Sequence, residues 1–305
     1  MWIFVALLAP AFSALGSYTD KYLLVHHKRT GGLGSIIIFS SLFGALVLPM
    51  ALLFGADIAS VSPLEVVILI INGCLTVGTL TAYLYAIRES DIVSVVPVLQ
   101  TIPAFGFILG FFVLGETLEP HEIVGSAVII LSAILLSLEI EENAKVRFRM
   151  KSFFLATLSS LLFAISGIVF KLIASERGYW ATQFWEYVGI SILGLFLFAV
   201  VAAYRSSFLE VVRKGRIEVV ALNFITETLT VSVDLLLNFA TLLAPIALVY
   251  TVNAFQPAFL LVFALIGSFM VPELMHRLAF LRKHVALKVL AITIMIAGAI
   301  IIHEA

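Results

Sequence analysis

The chain has 305 residues, of which 62% are hydrophobic and 12% are charged, and its mean hydropathy is +1.16. Ordinary soluble domains carry roughly 25% charged residues, so this composition excludes a soluble domain and indicates a polytopic membrane protein. The 18 basic and 19 acidic residues leave no basic excess for binding nucleic acid. The single cysteine, Cys74, permits no intramolecular disulfide.

Apolar stretches of about 20 residues, the length that crosses a bilayer, recur along the chain. We interpret the first as a retained helix and not a signal peptide, because it lacks a basic leading region. Nothing in the sequence has the period-2 pattern of a membrane barrel, so the predicted fold is an all-α integral membrane bundle. The stretches predict ten transmembrane helices, at roughly 2–25, 34–54, 64–87, 92–114, 121–139, 151–174, 182–204, 217–241, 246–270 and 284–303.

The chain divides into two predicted five-helix repeats, 1–140 and 151–305, joined by a hydrophilic linker at 141–150. Ala6–Lys21 aligns with Ala156–Lys171 without gaps and matches two alanines and the lysine. Because five is odd, the two halves must cross the membrane in opposite directions. Such inverted repeats usually place the substrate near the middle of the bilayer, between the halves.

Basic residues are distributed unevenly between the two sides of the predicted bundle. Sixteen of the 18 follow odd-numbered helices, and the exceptions are Lys171 and Arg177. The positive-inside rule therefore places the odd-numbered loops in the cytoplasm. We expect a cell (inner) membrane protein with both termini outside.

The eighth predicted helix carries a polar stripe with two acids. At about 100° per residue, its polar side chains fall on one face. A carboxylate at bilayer depth costs on the order of 2.5–3.5 kcal/mol, so two of them imply water, a partner or a shared proton. We predict a substrate and proton site here, with Glu227 as the principal residue because it lies nearest the middle of the helix. The stripe comprises Asn223, Glu227, Thr230, Asp234 and Asn238.

The third predicted helix repeats this spacing with neutral residues, Asn72, Thr76, Thr79 and Tyr83. One interpretation is that the two stripes face each other across a hydrated cavity. The alternative is that the neutral stripe joins helices by hydrogen bonds, as such residues do in membrane proteins.

Several other residues are candidate contacts to substrate. Gln100 lies beside Pro103 in the fourth helix, and Asn253 and Gln256 precede Pro257 in the ninth. Lys171 is expected either to reach the membrane surface or to pair with an acid, with Glu186 as the first choice. The aromatic residues around Glu186, namely Phe184, Trp185 and Tyr187, are typical of a belt at the membrane interface. The histidines are not spaced as ligands, so we expect no metal and no cofactor.

The stretch Val95–Leu136 has a proline within the fourth helix, a Gly-Glu pair at its end and a glycine-bearing fifth helix. The second half repeats the pattern with Pro257, Glu273 and Gly298. In these features the chain resembles the EamA branch of the drug/metabolite transporter superfamily. The resemblance implies a ten-helix transporter for small metabolites, often driven by a proton gradient, and does not name the substrate.

These observations predict a secondary transporter or exporter of a small polar metabolite, amine-bearing in the favoured version, that works by alternating access with protons as a coupling partner. A lipid-carrier flippase on the same fold is one alternative, although it would need a cationic site for phosphate. A membrane-embedded enzyme is the other, and no nucleophile or metal motif supports it.

Overall fold

A computed structural model describes residues 2–26, 33–89, 95, 98–139, 150–214, 217–270 and 285–303 of the chain. Within these ranges the chain is helical and contains no strand. The helices are α1 (Trp2–His26), α2 (Leu33–Phe43), α3 (Val47–Leu53), α4 (Pro63–Glu89), α5 (Ile102–Leu109), α6 (Pro120–Glu139), α7 (Met150–Arg177), α8 (Tyr179–Val200), α9 (Ala202–Lys214), α10 (Ile217–Leu243), α11 (Ile246–Asn253), α12 (Gln256–Met270) and α13 (Val285–His303).

Local sequence explains where several of these helices begin and end. Before α4, the Ser62 amide donates to Glu65 Oε2 at 2.7 Å, and the Glu65 amide donates back to Ser62 Oγ at 3.4 Å. This capping box satisfies amides at the start of the helix that have no partner within it. After α5, a π-helical turn ends at Gly115, whose φ of 68° lies in the left-handed region that suits glycine.

The core of the bundle is formed by long helices that are distant in sequence. α4 packs along α7 and α8, while α1 packs along α10, α11 and α12. α5 lies against α7 and α11, α2 against α8 and α9, and α6 against α13. These contacts bring α4, α7, α10 and α11 together around the centre of the molecule.

Among the described residues, six helical segments are long and apolar enough to cross a membrane, and shorter apolar helices accompany them. Large hydrophobic side chains lie exposed on the bundle, such as Leu53 at 86% and Phe112 at 79%. Exposed apolar surface on this scale suits contact with lipid. The six segments are Leu33–Leu53, Pro63–Glu89, Met150–Arg177, Tyr179–Val200, Ala221–Leu243 and Ile246–Phe263.

Four predicted helices differ from the structure. The second, expected at 34–54, is interrupted by a 3₁₀ turn at Gly44–Leu46, and the fourth, expected at 92–114, by a turn at Gln100 and Thr101. The seventh and the ninth differ as well. The seventh was expected at 182–204, but α8 ends at Val200, and the basic segment that we treated as a loop forms the separate helix α9. The ninth, expected at 246–270, is interrupted at Ala254 and Phe255. Hydropathy alone did not reveal these breaks, because they lie within sequence that stays largely apolar. The predicted linker, 141–150, lies outside the described residues except for Met150, which begins α7, and Glu273 also lies outside them.

Candidate functional site

A polar cavity lies where α4, α7, α10 and α11 meet. It is partly open and offers about 20 Å³ to the centres of water molecules, which is room for one or two waters. One acid, several hydroxyl and amide groups and two aromatic rings face it, in a bundle that is otherwise mostly apolar. Its lining consists of Thr76, Thr79, Phe163, Ser166, Gly167, Asp234, Leu237, Asn238 and Tyr250.

Directly beside the cavity lies a buried carboxyl group, that of Glu186 on α8, which is only 1% exposed. Its Oε1 accepts a hydrogen bond from Asn72 Nδ2 at 2.9 Å, and the hydroxyls of Thr76 and Ser166 lie within 3.2 and 3.4 Å of the same oxygen. Glu186 Oε2 and Asn72 Oδ1 are buried and have no hydrogen-bond partner among the described residues. A buried carboxyl oxygen in this position costs free energy until it takes a proton, a water or a cation.

Asp234 is the acid that lines the cavity itself. Its Oδ2 accepts a hydrogen bond of 2.8 Å from the hydroxyl of Tyr187 on α8. Nearby, the Tyr179 hydroxyl donates to the Leu235 carbonyl at 2.7 Å, which holds α8 against α10. Asp234 is half-buried, whereas Glu186 is fully buried.

Glycines allow the close helix contacts that shape this site. A Cβ on Gly73 would lie 2.1 Å from the Glu186 carbonyl oxygen, and one on Gly189 would lie 2.2 Å from the Ile70 carbonyl oxygen. α4 and α8 therefore touch backbone to backbone beside Glu186, as small residues permit in membrane bundles. A Cβ on Gly167 would lie 1.8 Å from the Tyr250 hydroxyl, so only glycine leaves room for that side chain.

A partly buried ion pair lies one helical turn along α7 from the lining residue Gly167. Lys171 Nζ lies 2.5 Å from Glu116 Oε1, and the two side chains are 15% and 16% exposed. Lys171 also donates to the Ala244 carbonyl at 2.7 Å, while Glu116 Oε2 accepts the Ile246 amide at 2.9 Å. The pair thus ties α7 and the segment after α5 to the junction between α10 and α11.

Part of the chain matches a known family of transporters. Residues 1–138 match the EamA-like transporter family, which is part of the drug/metabolite transporter superfamily. No curated protein matches the chain. One solved crystal structure, described only as that of a protein, is similar with a TM-score of 0.59 at 14% identity, over 99% of this chain and 95% of that one. At this identity the likeness shows a shared fold.

The structure brings several of the predicted site residues together. Thr76, Thr79, Asp234 and Asn238 line the cavity, so part of each stripe, on α4 and on α10, faces it. Asn72 and Glu186 hydrogen-bond directly behind it.

Other predicted residues lie elsewhere. Glu227 is buried but does not line the cavity, so the acid placed there is Asp234, on the same helical face but about 10 Å further along α10. Thr230 is exposed, and Tyr83 packs against apolar clusters. Lys171 pairs with Glu116 and not with Glu186. The remaining predicted contacts, which also do not line the cavity, are Asn223, Gln100, Asn253 and Gln256.

Sequence reasoning missed four cavity neighbours. Tyr187 was interpreted as part of an interfacial belt, but it is 3% exposed and binds Asp234. Phe163, Ser166 and Tyr250 were not singled out. The sequence of α7 does indicate a partly polar face, because Ser159, Phe163 and Ser166 recur at helical spacing. Within the described part of the chain, no group of three or more His, Cys, Asp or Glu residues could hold a metal.

Proposed function

We propose that this protein is a secondary active transporter that moves a small polar metabolite, with an amine-bearing one favoured, by proton-coupled alternating access. The observation that carries the proposal is the acid-lined polar cavity at the meeting point of α4, α7, α10 and α11. A carboxylate facing a cavity inside a membrane bundle marks a path for ions or substrate. The EamA-like match of the first half supports the same class of function.

We infer that the bundle consists of ten transmembrane helices in two inverted five-helix repeats. The six long spans and the four shorter apolar helices follow the predicted spans in order. The contacts between helices support the repeat as well. The contact of α4 with α7 has a counterpart in the contact of α10 with α1. Likewise, the contact of α5 with α7 has a counterpart in the contacts of α11 and α12 with α1. When predicted spans one to five are matched in order with spans six to ten, each contact becomes its counterpart, as two-fold related repeats require.

The two alternatives fit the site less well. A flippase for a phosphate-linked lipid needs a basic group at the cavity, yet no basic side chain is among the cavity-lining residues described, and Lys171 is paired with Glu116. A membrane-embedded enzyme would need a nucleophile or a metal set, and EamA-like proteins are transporters.

The proposal is tested in two stages. Purified protein is first screened by thermal shift against amino acids, amines, nucleobases and sugars at two pH values, since a ligand that binds the folded state raises its melting temperature. Stabilising solutes are then measured for uptake into proteoliposomes with and without a pH gradient.

We expect at least one solute to be taken up faster with the gradient than without it. Asp234→Asn should abolish this uptake, while Asp57→Asn, which changes an exposed aspartate, should preserve it. Equal uptake by protein-free liposomes, or an unaffected Asp234→Asn variant, would contradict the proposal.

A further inference from the structure

The cavity presents negative charge without a fixed counter-charge. Asp234 is the one acid among the nine lining residues described, and none of the nine is basic. Among the described residues, Tyr187 donates a hydrogen bond to this carboxylate. The nearest ion pairs are already complete, since Lys171 binds Glu116 and Arg177 binds Glu65. A charge in such a place needs a mobile cation or a proton as its partner.

Two aromatic rings stand beside this carboxylate in the cavity wall. The rings of Phe163 and Tyr250 have centroids 5.2 Å apart and are tilted by 50°. Tyr250 is held in place by α5 and α7, because Cβ atoms on Gly106 and Gly167 would both collide with it. Aromatic faces attract cations, and quaternary ammonium groups in particular are recognised by aromatic walls.

Glu186 occupies a different position from Asp234. It does not line the cavity, and it contacts the lining through the hydroxyls of Thr76 and Ser166, which lie 3.0 Å from each other. This hydroxyl pair gives a proton a route between cavity and carboxyl group, while a larger cargo cannot pass it. In the described part of the chain, the titratable groups that face the two acids are the acids themselves and the phenols of Tyr179, Tyr187 and Tyr250.

We propose that the cargo is a small organic cation, whose ammonium group binds the Asp234 carboxylate beside Phe163 and Tyr250, and that Glu186 holds the coupling proton. This assignment rests on the transport function proposed above. The two acids then have separate roles. Asp234 binds the cargo, and Glu186, which lies behind the hydroxyls of Thr76 and Ser166, binds only protons.

The test compares cations with uncharged molecules of the same shape. Purified protein is titrated with choline and its carbon analogue dimethylbutanol, and with phenethylamine and phenethyl alcohol, and binding is measured from the shift in melting temperature. We expect at least one cation to stabilise the protein and its neutral partner to give no shift.

Four variants assign the contacts. Asp234→Asn should weaken cation binding by about tenfold or more, because it removes one partner of a buried charge pair. Phe163→Leu should weaken it by about threefold or more through the lost ring face. Phe112→Leu, at an exposed position, is the matched control and should bind as the wild type does. Glu186→Gln should still bind the cation to within a few-fold.

Several outcomes would overturn the inference. They are stabilisation by the neutral analogue equal to that by the cation, no stabilisation by any cation, or cation binding lost in Glu186→Gln and kept in Asp234→Asn. A neutral solute that is taken up while no cation binds would overturn the cargo class and leave the transport function standing. Failure to transport any solute would instead overturn the transport function.

Discussion

At the scale of single residues, the two acids at the site differ in what surrounds them. Glu186 receives hydrogen bonds at one oxygen from α4 and α7, and the other oxygen has no partner in the described structure. Asp234 opens onto the cavity and is hydrogen-bonded by a tyrosine. An enclosed carboxyl group and an accessible one suit different tasks in the proton-coupled cycle proposed above, because only the accessible group can touch cargo.

The first prediction concerns Glu186→Gln. The amide keeps the size of the side chain and cannot exchange a proton, so we expect exchange of substrate across proteoliposomes to continue while acceleration by a pH gradient is lost. The measurement is uptake at matched and unequal pH on the two sides. Glu119→Gln is the control, since the Glu119 side chain is 74% exposed. Retained coupling in Glu186→Gln together with lost coupling in Glu227→Gln would move the proton site to the position first predicted on α10.

At the scale of helices, the site depends on two kinds of contact between elements. The close approach of α4 and α8 at Gly73 and Gly189 brings Asn72 within reach of Glu186. The ion pair between Lys171 and Glu116 joins α7 to the segment after α5, and both side chains also bind the backbone between α10 and α11. Packing and charge therefore both hold this group of helices together.

The second prediction tests the backbone contact. Gly189→Ala places a methyl group against the Ile70 carbonyl, so we expect a loss of about 2 kcal/mol or more from overpacking. Gly78→Ala is the matched control in a helix, because the nearest atom to its Cβ lies 3.8 Å away, and it should be neutral or stabilising by up to about 1 kcal/mol. Thermal unfolding in detergent measures both variants. Equal melting temperatures for the two would show that α4 and α8 do not pack in this way.

The third prediction tests the ion pair by a double-mutant cycle. Lys171→Met and Glu116→Gln should each destabilise the protein by about 3 kcal/mol, because each leaves a partly buried group without its partner. The double variant should lose much less than the sum of the two, since neither charge remains. Melting temperatures of the four proteins give the coupling energy. Additive losses would mean that the two side chains do not interact.

At the scale of the whole molecule, two pairs of helices that correspond in the proposed repeat pack against each other to different extents. The Arg177 side chain binds Glu65 at 3.0 Å, which ties the end of α7 to the start of α4, and Trp185 Nε1 donates to the Ile58 carbonyl. α4 packs extensively on α8, whereas α10, its counterpart in the proposed repeat, makes few contacts with α2. In the proposed cycle, α4 and α8 separate while α10 and α2 come together, so that the cavity opens to the other side of the membrane.

The fourth prediction tests the orientation of the chain in the membrane. Cys74→Ala gives a cysteine-free protein, in which Ala59→Cys and Ser206→Cys, made separately, each place a single thiol at an exposed position in a different connection. Five predicted spans separate the two positions, so the thiols should lie on opposite sides. A membrane-impermeant maleimide should label the Ala59→Cys variant in intact cells and the Ser206→Cys variant only after permeabilisation. Labelling of both variants in intact cells would contradict the inverted arrangement, and the reverse pattern would place the termini in the cytoplasm.

Much of the local structure could be predicted from the sequence. The membrane character, the helical fold and the polar faces of α4 and α10 follow from composition and periodicity, which are properties of neighbouring residues. Periodicity gives the direction in which a side chain points, but it does not give the depth at which another helix meets it. Glu227 and Asp234 share a direction and differ by about 10 Å in depth, so only packing could place Asp234 at the cavity.

The partners of the charged groups were decided by the tertiary structure alone. Asn72 and Glu186 are 114 residues apart, and Lys171 meets an acid from the other half of the chain. No local pattern encodes such pairs, because they depend on how closely glycines let two helices approach and how each helix is rotated. The sequence by itself determined that this chain is a helical membrane protein with acids inside it. The packing of α4, α7, α8 and α10 decided which acid faces the cavity and which is enclosed, because burial is a property of the assembled bundle.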